Sequence, residues 1–230
     1  MLPEPLNNLL SRSLTRLHFE IMKRYSLILA LVLICLDANG QAPPQLAGFV
    51  LANATGLKAQ LLADSKNLIP GGIDPGTATS GIPLPVGPHQ MEVSVPGLPP
   101  AKTPLSTATG TCPIFVAYLE ETVDPTSKQT KKTLRLMQLP SKPQKERYLT
   151  SVISFNPSRQ PIPAKVNGKA VNLEYQKAYI AEGRRFVLAE NADPIDETEY
   201  GEKSSQFCLV FKGADNKLKS ILVPDMIYTW

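Results

Sequence analysis

Apolar residues in this chain come in short runs of four to eight, cut by Pro, Gly, Asn and Asp, and never in the long one-sided stripes of amphipathic helices. That pattern predicts strands. The cleanest case is His89 to Val95, where Met91, Val93 and Val95 alternate with Gln90, Glu92 and Ser94, so that three apolar side chains share one pleated face. Pro85-Val86-Gly87-Pro88 precedes this strand and Pro96-Gly97-Leu98-Pro99-Pro100 ends it, because proline cannot donate a ladder hydrogen bond.

The same reading predicts strands at 48–53, 57–63, 78–84, 102–107, 113–120 and 133–139 in the first half. In the second half it predicts 148–155, 164–166, 169–173, 176–180, 184–189, 206–212 and 217–223. Asn53-Ala54-Thr55-Gly56 reads as the turn between the first two strands. Asn167-Gly168 is the strongest hairpin signal, since both central residues of a type I′ turn need positive φ. Helix is nearly absent: only Ala189 to Glu202 has helical flavour, and Pro194 inside it argues for a loop. The expected fold class is all-β, with two tandem antiparallel β-sandwich domains of Ig-like or transthyretin-like kind.

The polar, proline-bearing segment 140–146 reads as a linker between a first domain, 41–139, and a second, 147–230. A weak internal repeat accompanies this division. Leu51-Ala52-Asn53 parallels Ser154-Phe155-Asn156, and Cys112 to Val116 parallels Cys208 to Lys212, each followed by a return strand closing on an apolar-Pro step.

The strand ending in Asn53-Ala54-Thr55, the Thr77 to Gly81 segment, and the Leu84-Pro85-Val86-Gly87-Pro88 turn opening Gln90 to Val95 give the first half a family likeness. Over about residues 47–120 it resembles bacterial exported sandwich modules of the PEGA and transthyretin-like kind. The resemblance implies a module appended to surface, adhesion or envelope proteins, with no attached enzyme, anchor or repeat array expected in this chain.

The N-terminus changes the picture of compartment. From Met22 the chain reads Met-Lys-Arg, then an apolar run from Tyr25 to Leu36, then Asp37-Ala38-Asn39-Gly40, which is the layout of a signal peptide over 22–40. Cleavage is expected after Gly40, leaving Gln41 first. Twelve apolar residues as helix would cover only about 18 Å of a roughly 30 Å hydrocarbon layer, so no stable membrane span is expected after processing. Cys35 follows Ile34, which does not suit lipidation, and residues 1–21 read as an extended or mis-assigned N-terminus. The expected location is periplasmic, cell-surface or secreted.

Beyond Gly40 the chain keeps 20 basic and 17 acidic residues, too balanced to imply a charged partner. The one basic cluster, Lys128, Lys131, Lys132 and Arg135, reads as a solvated loop, so no nucleic-acid partner is expected. The partner is left as an unidentified protein or envelope polymer.

Candidate chemistry is sparse. His89 is the single histidine after Gly40, stands at a turn-to-strand junction, and has no Gly-x-Ser-x-Gly elbow to serve, so no catalytic residue is assigned. One histidine and two distant cysteines do not make a zinc site, and no cofactor is expected. Asp193, Asp196, Glu197 and Glu199, with Glu202, crowd one loop and are weak calcium candidates without EF-hand order. Glu120 and Glu121, adjacent on a strand, must point to opposite faces, which defeats a paired-carboxylate mechanism.

Cys112 and Cys208 could bridge each other, remain buried thiols, or link chains; their apolar company favours buried thiols. Phe115, Phe155, Phe207 and Phe211 read as core, whereas Tyr175, Tyr179, Tyr200, Tyr228 and Trp230 are the exposed candidates for a ligand face. Asn53-Ala54-Thr55 is formally a glycosylation sequon, though an Asn closing a turn needs no glycan. The expected function is an exported, non-catalytic structural or interaction module; the alternatives are an exported hydrolase-like enzyme and a carbohydrate- or calcium-binding module.

Overall fold

A computed structural model describes residues 44–141, 147–183, 188–189, 205–215 and 217–225. Every regular element among them is a strand, and the described residues from Gln45 onward form one compact unit. The segment 22–40 expected to be a signal peptide, residues 142–146 of the expected linker and the acidic stretch 190–204 lie outside the described residues.

In chain order the strands are β1 (Leu46–Ala54), β2 (Gln60–Ala63), β3 (Lys66–Asn67), β4 (Ile82–Pro85), β5 (Gly87–Ser94), β6 (Ala101–Thr107), β7 (Ile114–Val123) and β8 (Thr130–Gln138). After the linker come β9 (Leu149–Phe155), β10 (Ile162–Val166), β11 (Lys169–Leu173), β12 (Ala178–Glu182), β13 (Leu188–Ala189), β14 (Ser205–Lys212) and β15 (Leu218–Asp225). They form four sheets, ordered β3-β2-β5-β6, β4-β1-β7-β8, β12-β9-β14-β15 and β11-β10-β13.

The expectation of purely antiparallel sheets needs correcting. β1 runs parallel to β7, with Ala52 opposite Val116, and β9 runs parallel to β14, with Phe155 opposite Phe211. Both pairs join an early strand to a late one in the same half, and a long intervening chain is what lets parallel neighbours connect.

Three cores lie between the four sheets. Phe49, Leu51, Leu61, Met91, Val93, Leu105, Phe115 and Ala117 fill the first; Val152, Ile162, Val166, Leu173, Cys208 and Val210 fill the last. The middle core joins the two halves. In it Val50, Ala52, Ile114, Val116 and Tyr118 meet Ile153, Phe155, Phe207, Leu209, Phe211 and Val223. Tyr118 and Phe155 pack across it with ring centroids 4.9 Å apart.

This arrangement explains the sequence patterns. β1, β7 and β14 are covered on both faces and so read as continuous apolar runs, whereas β5, with one solvated face, alternates. Pro83, Pro85, Pro104 and Pro224 all stand on strands at a sheet edge, where a missing N–H costs no ladder bond. The Asn167-Gly168 hairpin forms as read: Val166 pairs with Lys169, and the two turn residues have φ of 49° and 77°.

Asn53 closes β1 from a fully buried position. Its amide donates to the carbonyls of Leu57 (2.8 Å) and Ile73 (2.9 Å), and its Oδ1 accepts from the Thr55 hydroxyl at 2.7 Å. With its amide so engaged, Asn53 presents no glycan acceptor. Asn156 repeats the device after β9, donating to the Gln160 carbonyl (2.7 Å) and accepting from Ser158 Oγ (3.1 Å).

Gly56, in the first of these turns, has φ of 74°, and a Cβ there would lie 2.9 Å from the backbone nitrogen of Ala214 in the β14–β15 hairpin. Gly56→Ala is therefore expected to lower unfolding free energy by about 2–3 kcal/mol, combining left-handed strain with overpacking against backbone. Urea melts of the two proteins measure it, and an unchanged midpoint refutes the close approach.

Candidate functional site

The most charged constellation lies at the open end of the middle core. Beyond Tyr118, β7 outruns β1, and Glu120 points to the same side as Tyr118 into the seam between the halves. It is buried, yet its carboxylate takes bonds from Arg159 Nη2 (2.6 Å), Arg135 Nε (3.1 Å) and the Tyr175 hydroxyl (3.2 Å). Arg159 comes from the turn after β9 and its guanidinium lies 5.9 Å from the Tyr175 ring centroid. Burial pushes the Glu120 carboxyl up, but the two guanidiniums outweigh it and hold the group below the usual carboxylate range. Tyr175 is displaced upward, first by burial and then by its neighbours Tyr118 and Glu120. Glu120 is thus an ionised strut between strands, and the proton that a general acid would need is the one its surroundings disfavour.

Glu121 faces the other way, as adjacent strand residues must, and pairs with Lys132 directly across the ladder at 3.4 Å. Its backbone N–H, past the end of β1, donates to the Pro157 carbonyl at 2.8 Å, so the turn after β9 takes the place of the missing strand. Beside this contact opens a cleft of about 420 Å³ lined by turns from both halves, among them Thr55, Leu98, Leu119, Ser158 and Lys212. A second cavity, of about 590 Å³, lies around Cys112, Pro113, Leu139 and Ser141.

At its turn-to-strand junction His89 is a largely buried, capping histidine. Only 9% of its side chain is accessible; Nδ1 contacts Asp64 Oδ2 at 2.7 Å and Nε2 contacts the Pro85 carbonyl at 2.7 Å. Both partners are acceptors, so both ring nitrogens carry protons when both bonds are made. The ring clamps Asp64-Ser65, a tight turn whose two non-glycine residues have φ of 48° and 67°. The hydrogen bond to Asp64, then that to Pro85, raises the His89 pKa, and the same bond lowers that of Asp64.

The sign of the pH effect follows. His89's contribution is fully present below its unfolded value of about 6.5 and is lost as pH rises through its higher folded value. That of Asp64 is present above about 3.8 and is lost as pH falls through its lower folded value. Proton NMR titration is expected to give His89 a midpoint above 6.5, and Asp64→Asn to bring it down; a midpoint at or below 6.5 in the unaltered protein rejects the clamp.

Both cysteines are buried and free, with burial pushing Cys112 up to about 11 and Cys208 up to about 12. They are not equivalent positions. Matching Asn53 with Asn156 matches Val116 with Phe211 and therefore Cys112 with Phe207. That one-residue offset turns Cys112 into the middle core and Cys208 into the last one, on opposite sides of β14.

Phe115, Phe155, Phe207 and Phe211 are core, as expected. Tyr175 and Tyr179 correct the expectation of exposure, since both are partly buried against a core. Tyr200, Tyr228 and Trp230, and the calcium candidates Asp193, Asp196, Glu197, Glu199 and Glu202, lie outside the described residues. Lys128, Lys131, Lys132 and Arg135 are all exposed, but three of them stand on β8 instead of in a loop. Lysines along such an edge discourage pairing with another sheet. Among the described residues no group of three or more His, Cys, Asp or Glu side chains could hold a metal, and no helix is long and apolar enough to cross a membrane.

Sequence reasoning separated Glu120 from Glu121 and singled out Tyr175, though as an exposed ring, but missed Arg159 and Lys212, which carry no motif and reach the seam only through the fold. No protein-family model matches the chain, and no curated protein is significantly similar to it.

Proposed function

We propose that this chain is an exported, non-catalytic protein of the cell envelope or extracellular space, built as two tandem Ig-like or transthyretin-like sandwiches and serving as a structural or interaction module. Its partner is a protein or an envelope polymer. The observation that carries the reading is the use made of the polar groups: Glu120 and His89, whose ionisation is displaced by partners, each tie separate segments together and hold the charge state that suits the tie. The recurrence of β4-β1-β7-β8 as β12-β9-β14-β15, each with its early strand parallel to its late one, supports the tandem architecture.

Export is tested by expressing the full chain in a bacterial host, fractionating the cells and sequencing the N-terminus of the protein outside the cytoplasm. Gln41 is the expected first residue. Full-length material confined to the cytoplasm overturns the reading.

A further inference from the structure

We propose that the cleft beside Glu121 is a binding site for a small apolar group bearing one carboxylate, either a free acid or the C-terminal residue of a peptide. This deepens the interaction-module reading and rests on it. Three observations on separate segments converge. The space, about 420 Å³, is of the size that holds small ligands, and it sits where turns from both halves meet. Its apolar lining comes from Leu57, Leu98 and Leu119, contributed by the β1–β2 turn, the β5–β6 turn and β7.

Its charged lining is asymmetric. Glu121 is matched by Lys132, whereas Lys212, half-buried at the end of β14, has no carboxylate partner among the described residues. One ammonium is left over for an anion, beside three leucines that can take an apolar body. Gly97, whose Cβ position is open to 4 Å, leaves room at the rim. A ligand with an oily body and a single negative end satisfies both parts of the lining; a dianion or a neutral sugar satisfies only one.

The probes are N-acetyl-L-leucine, as a free acid, and N-acetyl-L-leucyl-L-leucine, as a peptide end, titrated into the full processed protein and followed by isotope-edited NMR. Shifts are expected to concentrate on Leu98, Leu119, Lys132 and Lys212. Lys212→Gln is expected to weaken binding about tenfold, as loss of a charge-assisted hydrogen bond does, and N-acetyl-L-leucinamide to bind about as much more weakly to the unaltered protein. Tighter binding of the dipeptide identifies a peptide end as the source, and equal binding identifies the free acid. Dispersed or absent shifts overturn the proposal, as does equal binding of acid and amide; neither result bears on where Edman sequencing finds the N-terminus. Because Lys212 lies at a strand end, unchanged thermal unfolding of Lys212→Gln separates loss of the site from loss of the fold.

Discussion

Phe155→Ala is expected to destabilise residues 45–230 as a whole by about 3–5 kcal/mol, the cost of removing a buried phenyl ring and leaving a cavity. Phe155 is fully buried in the core that both halves share, packed at a tilt against Tyr118 and paired on the β9–β14 ladder with Phe211. Such a loss is a large share of the roughly 5–15 kcal/mol that holds a typical domain folded. Denaturant unfolding followed by far-UV circular dichroism is expected to show one transition moved to lower denaturant, because the ring belongs to the layer that couples the halves. Two transitions, only one of them shifted, would show instead that the halves unfold independently.

The second large effect is expected at Asn53→Asp, which changes the shape of the side chain hardly at all. The amide nitrogen of Asn53 is surrounded by the carbonyls of Leu57, Ile73 and Asp74, at 2.8, 2.9 and 3.3 Å. A carboxylate oxygen in its place would face three acceptors without a proton to offer, in a site with no access to water. The expected loss is about 3–5 kcal/mol, from unmet buried carbonyls together with a buried charge. Protonation would restore one donor, so the introduced group has a raised folded pKa and the deficit narrows as pH falls toward about 4. Thermal melts at neutral and acidic pH measure this; a melting temperature equal to that of the unaltered protein at neutral pH removes Asn53 from its assigned role.

Much of the fold was legible because the local physics agrees with it. Alternation along β5, prolines at strand ends and Asn167-Gly168 all declare themselves within a few residues. β3 did not, since Lys66 and Asn67 carry no apolar pattern and pair only because Asp64-Ser65 turns the chain back. The parallel neighbours were equally hidden: a covered strand reads the same whichever way its partner runs.

The candidate site shows the same divide. That Glu120 and Glu121 face apart follows from strand geometry alone, whereas Arg159 and Tyr175 stand 39 and 55 positions away from Glu120 and reach it only through tertiary packing. The cysteines mislead for a sharper reason. Cys112-Pro113-Ile114 and Cys208-Leu209-Val210 look alike as text, but a slip of one residue in a strand exchanges its faces.

The way the halves meet also decides which surfaces are left for a partner. Val50, Ala52, Ile114 and Val116 from one correspond in ladder position to Ile153, Phe155, Leu209 and Phe211 from the other, so each half contributes the matching surface to the seam. Contact through like surfaces is self-terminating, because once two copies have met neither retains that patch for a newcomer. The faces spent on this seam are withheld from partners, so any assembly the chain enters must use other parts of its exterior.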